Sequence, residues 1–133
     1  MITTPKPKFK ITTDLKNILL EDQEIADIIE GRTFPVFAEE DTAGTFITYQ
    51  RDKYSAPLSK MGAGNDSCFV FITAVSDDYD ISQDLAEKIY YVLFGEHKIN
   101  GVSFDASLED STEDCVVSES GKKYLQTLLF KIE

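Results

Sequence analysis

Tryptophan is absent from this chain, histidine occurs once, cysteine twice and proline four times. Each scarcity removes a class of chemistry. Nucleophilic catalysis by Ser or Cys needs a base held against the nucleophile. The sole histidine, His97, follows the helix-stopping Gly95 closely and reads as a surface turn residue. Cys68 and Cys115 are far apart, and with one histidine they cannot complete a four-ligand zinc site. Both are expected as free thiols in a reducing compartment, with Cys68, inside an apolar run, as a small core side chain. Gly62-Ala63-Gly64-Asn65 lacks the Lys-Ser/Thr ending of a phosphate-binding loop. No apolar run reaches the roughly 18 residues needed to span a bilayer. The start, Met1-Ile2-Thr3-Thr4-Pro5-Lys6-Pro7-Lys8, has no apolar core of a secretory signal, so cytoplasmic residence is the expectation.

Positive charge is also scarce, with 13 Lys and Arg against 24 Asp and Glu, a net charge of −11. That balance argues against gripping nucleic acid, which depends on neutralising phosphates. The charges are unevenly placed. Lys6, Lys8 and Lys10 sit in an N-terminal stretch free of acids, whereas residues 105–119 hold Asp105, Glu109, Asp110, Glu113, Asp114 and Glu119 and no base. The plain reading of the acidic run is a solvated loop. The sharper one is a field that repels DNA or steers a basic partner. Asp77-Asp78-Tyr79-Asp80 fails as a calcium loop. Counted from Asp78, the sixth and twelfth positions are Gln83 and Ile89 instead of Gly and Glu. No cofactor and no metal are expected.

What is present is a globular composition, 42% hydrophobic and 11% aromatic, long enough for one domain with a sizeable core. Residues 1–12 read as an extended arm, since Pro5 and Pro7 restrict their neighbours, and residues 13–133 as a single α+β domain. Thr13 is a candidate N-cap. Leu15, Ile18 and Leu19, then Ile25, Ile28 and Ile29, recur at helical spacing, with a break at Glu21-Asp22-Gln23 and a stop at Gly31. Residues 34–38 and 45–54 read as strands, the first at an edge because of Pro35. Residues 55–66 read as a flexible loop. Residues 68–75 form the most apolar strand, predicted to be central and covered on both faces once assembled.

Asp80 with Gln83 predicts a capping box for a helix carrying Leu85, Ala86, Ile89, Tyr90, Leu93 and Phe94 on its buried side. Asn100-Gly101 predicts a turn, and residues 102–108 and 124–132 two further strands. The sum is a two-layer α+β fold: a mostly antiparallel sheet of about five strands with helices packed on one face.

The order of these pieces resembles a known family. Its parts here are the leading helix with Leu15, Leu19 and Ile28, then Gly31-Arg32-Thr33-Phe34-Pro35. Phe46-Ile47-Thr48-Tyr49-Gln50-Arg51 and the strand at 68–75 follow. Asp78-Tyr79-Asp80 then leads into a helix ending Leu93-Phe94-Gly95, and Tyr124-Leu125-Gln126 opens the last strand. Over residues 13–132 this sequence resembles the bacteriophage tail-completion or tail-terminator proteins that join tail to head, encoded in phages and prophages. The Lys-rich arm, Lys6 to Lys10, is a departure from the pattern.

The resemblance implies a non-enzymatic structural adaptor forming a ring, often a hexamer, that contacts tail-tube subunits and head-connector proteins. It places the protein in the host cytoplasm and, once assembled, in the virion. DNA would pass without being gripped, and no membrane would be involved. A ring needs two different faces of each subunit to meet. Tyr54, Tyr79 and Tyr91 are candidate exposed aromatics for such contacts. Leu58, Lys60 and Met61, in the loop at 55–66, are candidates for ordering on a partner. Glu109, Asp110, Glu113 and Asp114 would face the lumen and keep DNA from adhering. The competing reading is a soluble intracellular acidic binding module without a virion role, such as an inhibitor that mimics nucleic acid. It would bind a basic partner with strong salt dependence. An enzyme is the third class, and the residue constellations for one are missing.

Overall fold

The computed structural model describes residues 8–39, 42–55, 67–99, 101–119 and 121–133. Within them the chain runs α1 (Ile11–Glu21), α2 (Gln23–Ile29), β1 (Thr33–Pro35), β2 (Phe46–Ser55), β3 (Ser67–Ser76), α3 (Tyr79–Leu93), β4 (Gly95–Ile99), β5 (Val102–Ser118) and β6 (Gly121–Ile132). The loop residues Leu58, Lys60 and Met61 lie outside the described residues, as do the first prolines and Lys6.

The break between α1 and α2 falls where the sequence puts it. Asp22 adopts an extended ψ of 120°, which ends α1, and its carboxylate accepts the Ile25 N–H to cap α2. Thr13 does not cap: α1 begins three residues earlier than that cap implies, at Ile11 after Lys10, and no side chain closes its first turn. Ile11 is buried there and supplies a reason for the early start. At the other end, Glu30 and Gly31 both take the left-handed conformation, with φ of 50° and 79°. The terminating αL residue is therefore Glu30, one position ahead of the glycine.

The third helix is also capped two residues earlier than predicted. Asp78, not Asp80, accepts the Ile81 N–H, at 3.1 Å. Asp80 then lies in the first turn, where its charge suits the positive end of the helix. Gln83 donates to the Tyr79 hydroxyl and makes no capping box.

The strands form one sheet in the order β1-β2-β3-β6-β5-β4. Every pairing is antiparallel except β1 with β2. The architecture is α+β, with the helices on one face. The sheet has six strands instead of about five because Gly95–Ile99, polar in composition, pairs with residues 102–106 and makes the edge strand β4. The Asn100-Gly101 turn is consistent with this hairpin: Ile99 opposes Val102, and Gly101 has φ +82°, while Asn100 lies outside the described residues.

The acidic run is not a loop. β5 extends through Ser118 and pairs with β6 from Ala106 opposite Ile132 to Ser118 opposite Gly121, with a bulge between Leu108 and Asp110. His97 correspondingly sits in β4 instead of a surface turn, its ring stacked on Phe104 and Nε2 2.7 Å from the Leu93 carbonyl oxygen.

Side chains alternate across the sheet. Cys68, Val70, Ile72 and Ala74 of β3 and Leu128, Phe130 and Ile132 of β6 point to the helices. There they pack with Leu15, Leu19, Ile25, Ile29, Leu85, Ile89 and Leu93, all at most 4% exposed. This is the core, and burial of so many large aliphatic side chains is the main term stabilising the fold. Cys68 belongs to it, as its apolar neighbours suggested, and Cys115 is exposed.

Candidate interaction surface

The opposite residues of the same strands face away from the helices. Phe69, Phe71 and Thr73 of β3, Leu125, Thr127 and Leu129 of β6, and Phe34 of β1 are half-buried on this helix-free face. Phe46 and Val75 beside them are nearly closed off. β3 is central, as its apolar run predicted. Its second apolar face is covered by no described element of the chain. An extended apolar sheet face with solvent on it is unusual in an isolated domain.

The sheet curls around this face. A groove of about 270 Å³ is bordered on one side by Val36 and Phe37 and on the other by Val116, with Phe46, Val75 and Leu125 as its floor. Val36 and Phe37 are 60% and 68% exposed. Lys123 crosses the groove floor, its Nζ 5.9 Å from the Phe46 ring centroid and 2.9 Å from Asp77 Oδ1.

The segment that places Val36 and Phe37 is built from the Gly-Arg-Thr-Phe-Pro stretch. The Arg32 Nε donates to the Thr45 carbonyl oxygen at 3.0 Å, and the Arg32 carbonyl accepts from Ile47 N–H. The guanidinium lies against Gly44, where a Cβ would approach Nη2 to 2.9 Å. After Pro35 the strand stops abruptly. Val36 has φ +70°, and the Phe37 N–H donates to the Pro35 carbonyl at 2.8 Å, a γ-turn of the strained positive-φ kind. That turn is the reason β1 ends at Pro35 and does not run on to Ala38, and it turns two exposed apolar side chains toward the groove. A β-branched residue in this conformation is a true outlier, of the type that gathers at functional positions.

The second feature is the β5–β6 hairpin. The Tyr79 hydroxyl donates to Glu113 Oε2 at 2.9 Å, and Gln126 Nε2 donates to the same oxygen at 2.9 Å. Tyr79 also stacks edge-on with Tyr124 at 5.3 Å between centroids. The hydrogen bond to Glu113, with a smaller contribution from burial and from the carboxylate's charge, raises the Tyr79 pKa above its ordinary value. The start of α3 is thus tied to the far part of the hairpin. The N-cap of α3 is also tied to the end of β3, where the Asp78 N–H donates to Ser76 Oγ at 3.1 Å and that hydroxyl lies 2.9 Å from Thr45 Oγ1.

Two of the predicted site residues, Tyr79 and Glu113, are therefore in direct contact. The four acids do not share a face. Asp110 and Asp114 oppose Leu129 and Leu125 and lie on the helix-free side; Glu113 opposes Gln126 and lies on the helix side; Glu109 sits in a β-bulge. Tyr54 is only half-exposed, packed against the core and edge-on to Phe9 at 5.3 Å. Tyr91 is 70% exposed. Sequence reasoning singled out the two apolar faces of 68–75 but not Phe9, Val36, Phe37 or the odd-numbered face of β6. For the strands, the signal was available in the apolar residues at both parities of 68–75.

Among the described residues no group of three or more His, Cys, Asp or Glu is placed to hold a metal. None of their helices is long and apolar enough to cross a membrane.

No family model matches the sequence, and no curated protein does. Among solved structures, the fold is similar to a chain from the virion of a native gene transfer agent particle. The TM-score is 0.62 at 11% identity, over 89% of this chain and 90% of that one. The correspondence spans both layers, and at that identity it is a likeness of fold.

Proposed function

We propose that this chain is a non-enzymatic structural adaptor of a phage-like virion, which completes or terminates the tail and joins it to the head as a ring. The observation that carries the reading is an agreement between two independent comparisons. The ordered motifs resemble tail-completion proteins, and the whole fold is similar to a chain of a gene transfer agent virion. Each of these alone is a weak guide to function. The surfaces fit the role: a half-exposed apolar sheet face and a groove flanked by exposed Val36 and Phe37 are interaction surfaces. The net charge of −11 suits a protein that DNA passes.

In this reading the tail-tube and head-connector proteins are the partners, and the helix-free face seats one of them. Glu113 is not a lumen residue in this reading, because it points to the helix side and is held by Tyr79 and Gln126.

The test is genetic. Deleting the gene from its phage or prophage should leave filled heads and separate tails in the lysate, and expression in trans should restore joined particles. Normal joined particles in the deletion strain would remove the proposal. In that case, salt-sensitive binding to a basic host protein would favour the acidic binding module.

A further inference from the structure

The register sorts the helix-free face into rungs. Phe46, Val75, Leu125 and Asp114 share one. Thr48, Thr73, Thr127 and Thr112 share the next, and Gln50, Phe71, Leu129 and Asp110 the third. Along one face of a strand, successive rungs lie about 7 Å apart. The face therefore holds two apolar stations about 13–14 Å apart, with a belt of threonines between them. In that belt the Thr73 and Thr127 hydroxyl oxygens are 3.2 Å from each other. Each station has side chains of β3 and β6 as its floor and one aspartate on the β5 flank.

The two flanks differ in charge. On the β5 side, Asp110 and Asp114 are exposed, and each accepts the N–H of the residue that follows it. On the β2 side the same rungs carry Phe46, Thr48 and Gln50, with Lys53 beyond them opposite Phe69. Lys123, on the groove floor, is neutralised by Asp77, and Lys131 of this face by Glu133. Glu39 adds a further acid to the groove. A basic flank on the partner is therefore favoured beside β5 and disfavoured beside Lys53.

The face also selects the form of what covers it. Unlike an edge, it offers no backbone donors or acceptors, so an extended segment laid on it would bury unpaired amides. A helix satisfies its own. At the ordinary strand spacing, β2, β3, β6 and β5 span about 14 Å. A helix about 10–12 Å across fits that width. It would lie between Val36 and Phe37 on one side and Val116 on the other. A second sheet of equal width would strike both walls. The groove's volume of about 270 Å³ is below the roughly 300–1,000 Å³ of small-molecule sites, and it suits one or two side chains.

We propose that the helix-free face seats an amphipathic helix of a tail-tube or head-connector protein, laid along β3 and β6. The apolar stripe of that helix fills the two stations, and smaller side chains cross the threonine belt. Lys or Arg on one of its flanks pairs with Asp110 and Asp114. The inference rests on the adaptor reading above and names the chemistry of the partner. Asp110 and Asp114 are then contact residues and do not line the lumen.

The test uses the full chain and overlapping peptides of about 20 residues, long enough for a helix of about 30 Å. The peptides are tiled across the tail-tube and head-connector proteins encoded beside this one. Binding is read by fluorescence anisotropy, and helix content by circular dichroism. The peptides that bind should gain helix on binding and carry an apolar stripe with Lys or Arg on one flank. Asp110→Lys combined with Asp114→Lys should weaken binding by roughly tenfold or more, and a peptide with its flank bases changed to Glu should recover it. Phe71→Thr should weaken binding of the original peptide as well. Binding that ignores all these substitutions, or bound peptides that gain no helix, would overturn the inference. No bound peptide, with separate heads and tails in the deletion strain, would overturn it and leave the adaptor reading standing. Charge-dependent helix binding with normal joined particles in the deletion strain would support this surface and remove the adaptor reading.

Discussion

The Tyr79 hydroxyl donates to Glu113 across 2.9 Å, and that bond joins the first turn of α3 to a strand 34 residues further on. Glu113 belongs to the part of β5 that extends beyond β4, so the hairpin depends on β6 and on this contact for its position.

Tyr79→Phe should therefore loosen the hairpin without unfolding the domain. Amide hydrogen exchange at residues 111–118 should quicken, while exchange in β3 stays as slow as before. Uniform slow exchange across the hairpin would show that the contact does not hold it.

The same bond has a pH signature. The folded pKa of Tyr79 lies above its ordinary value, with Glu113 as the first cause, so the proton is held more tightly in the folded state. The contribution to stability is present below the ordinary tyrosine range and is lost as pH rises through the raised folded value. The difference between the ultraviolet titrations of the wild type and Tyr79→Phe should be a component that ionises above the ordinary tyrosine value. A difference centred at or below that value would contradict it.

Val36 holds a positive φ that glycine adopts freely. Val36→Gly should raise stability by about 0.5–1 kcal/mol, because relief of strain exceeds the added freedom of the unfolded chain. Urea denaturation measures this directly; a lower midpoint would mean that the exposed valine side chain contributes more than its strain costs.

Gly44→Ala tests the Arg32 staple. The new Cβ meets the guanidinium at a residue with φ +81°, so the loop must lose either its conformation or the bond to Thr45. A loss of about 1–2 kcal/mol is expected. An unchanged midpoint would show that Arg32 does not hold the loop between β1 and β2.

Neighbouring residues of β3 separate the core from the open face. Ile72→Ala, at a site with no exposure, should cost about 2–5 kcal/mol. Phe71→Thr, on the helix-free face, should cost less and should weaken partner binding. If Phe71→Thr cost as much as Ile72→Ala and left partner binding intact, the helix-free face would be ordinary packing.

Much of the fold was legible because the core writes itself into the sequence at fixed periods. Leu85, Ile89 and Leu93 at helical spacing gave α3, and the unbroken run at 68–75 gave the central strand. The hairpin beyond residue 108 was illegible for a physical reason. Its side chains have no core to face, so Ser, Thr, Asp and Glu occupy both parities and no alternation appears. β4 escaped for a similar cause, since Glu96 and Lys98 are exposed and only His97 and Ile99 pack inward. The Asp78 and Asp80 caps are both compatible with the same hydrophobic register, and only the backbone at Asp78 decides between them. Tyr79 and Glu113 were each legible as candidates; their contact was not, because it depends on β5 being a strand.

The most direct test of the adaptor reading is negative-stain microscopy of the full chain mixed with the tail-tube protein encoded nearest to it. Closed rings seated on tube ends are the expected result. Bare tube ends and a dispersed monomer would contradict it.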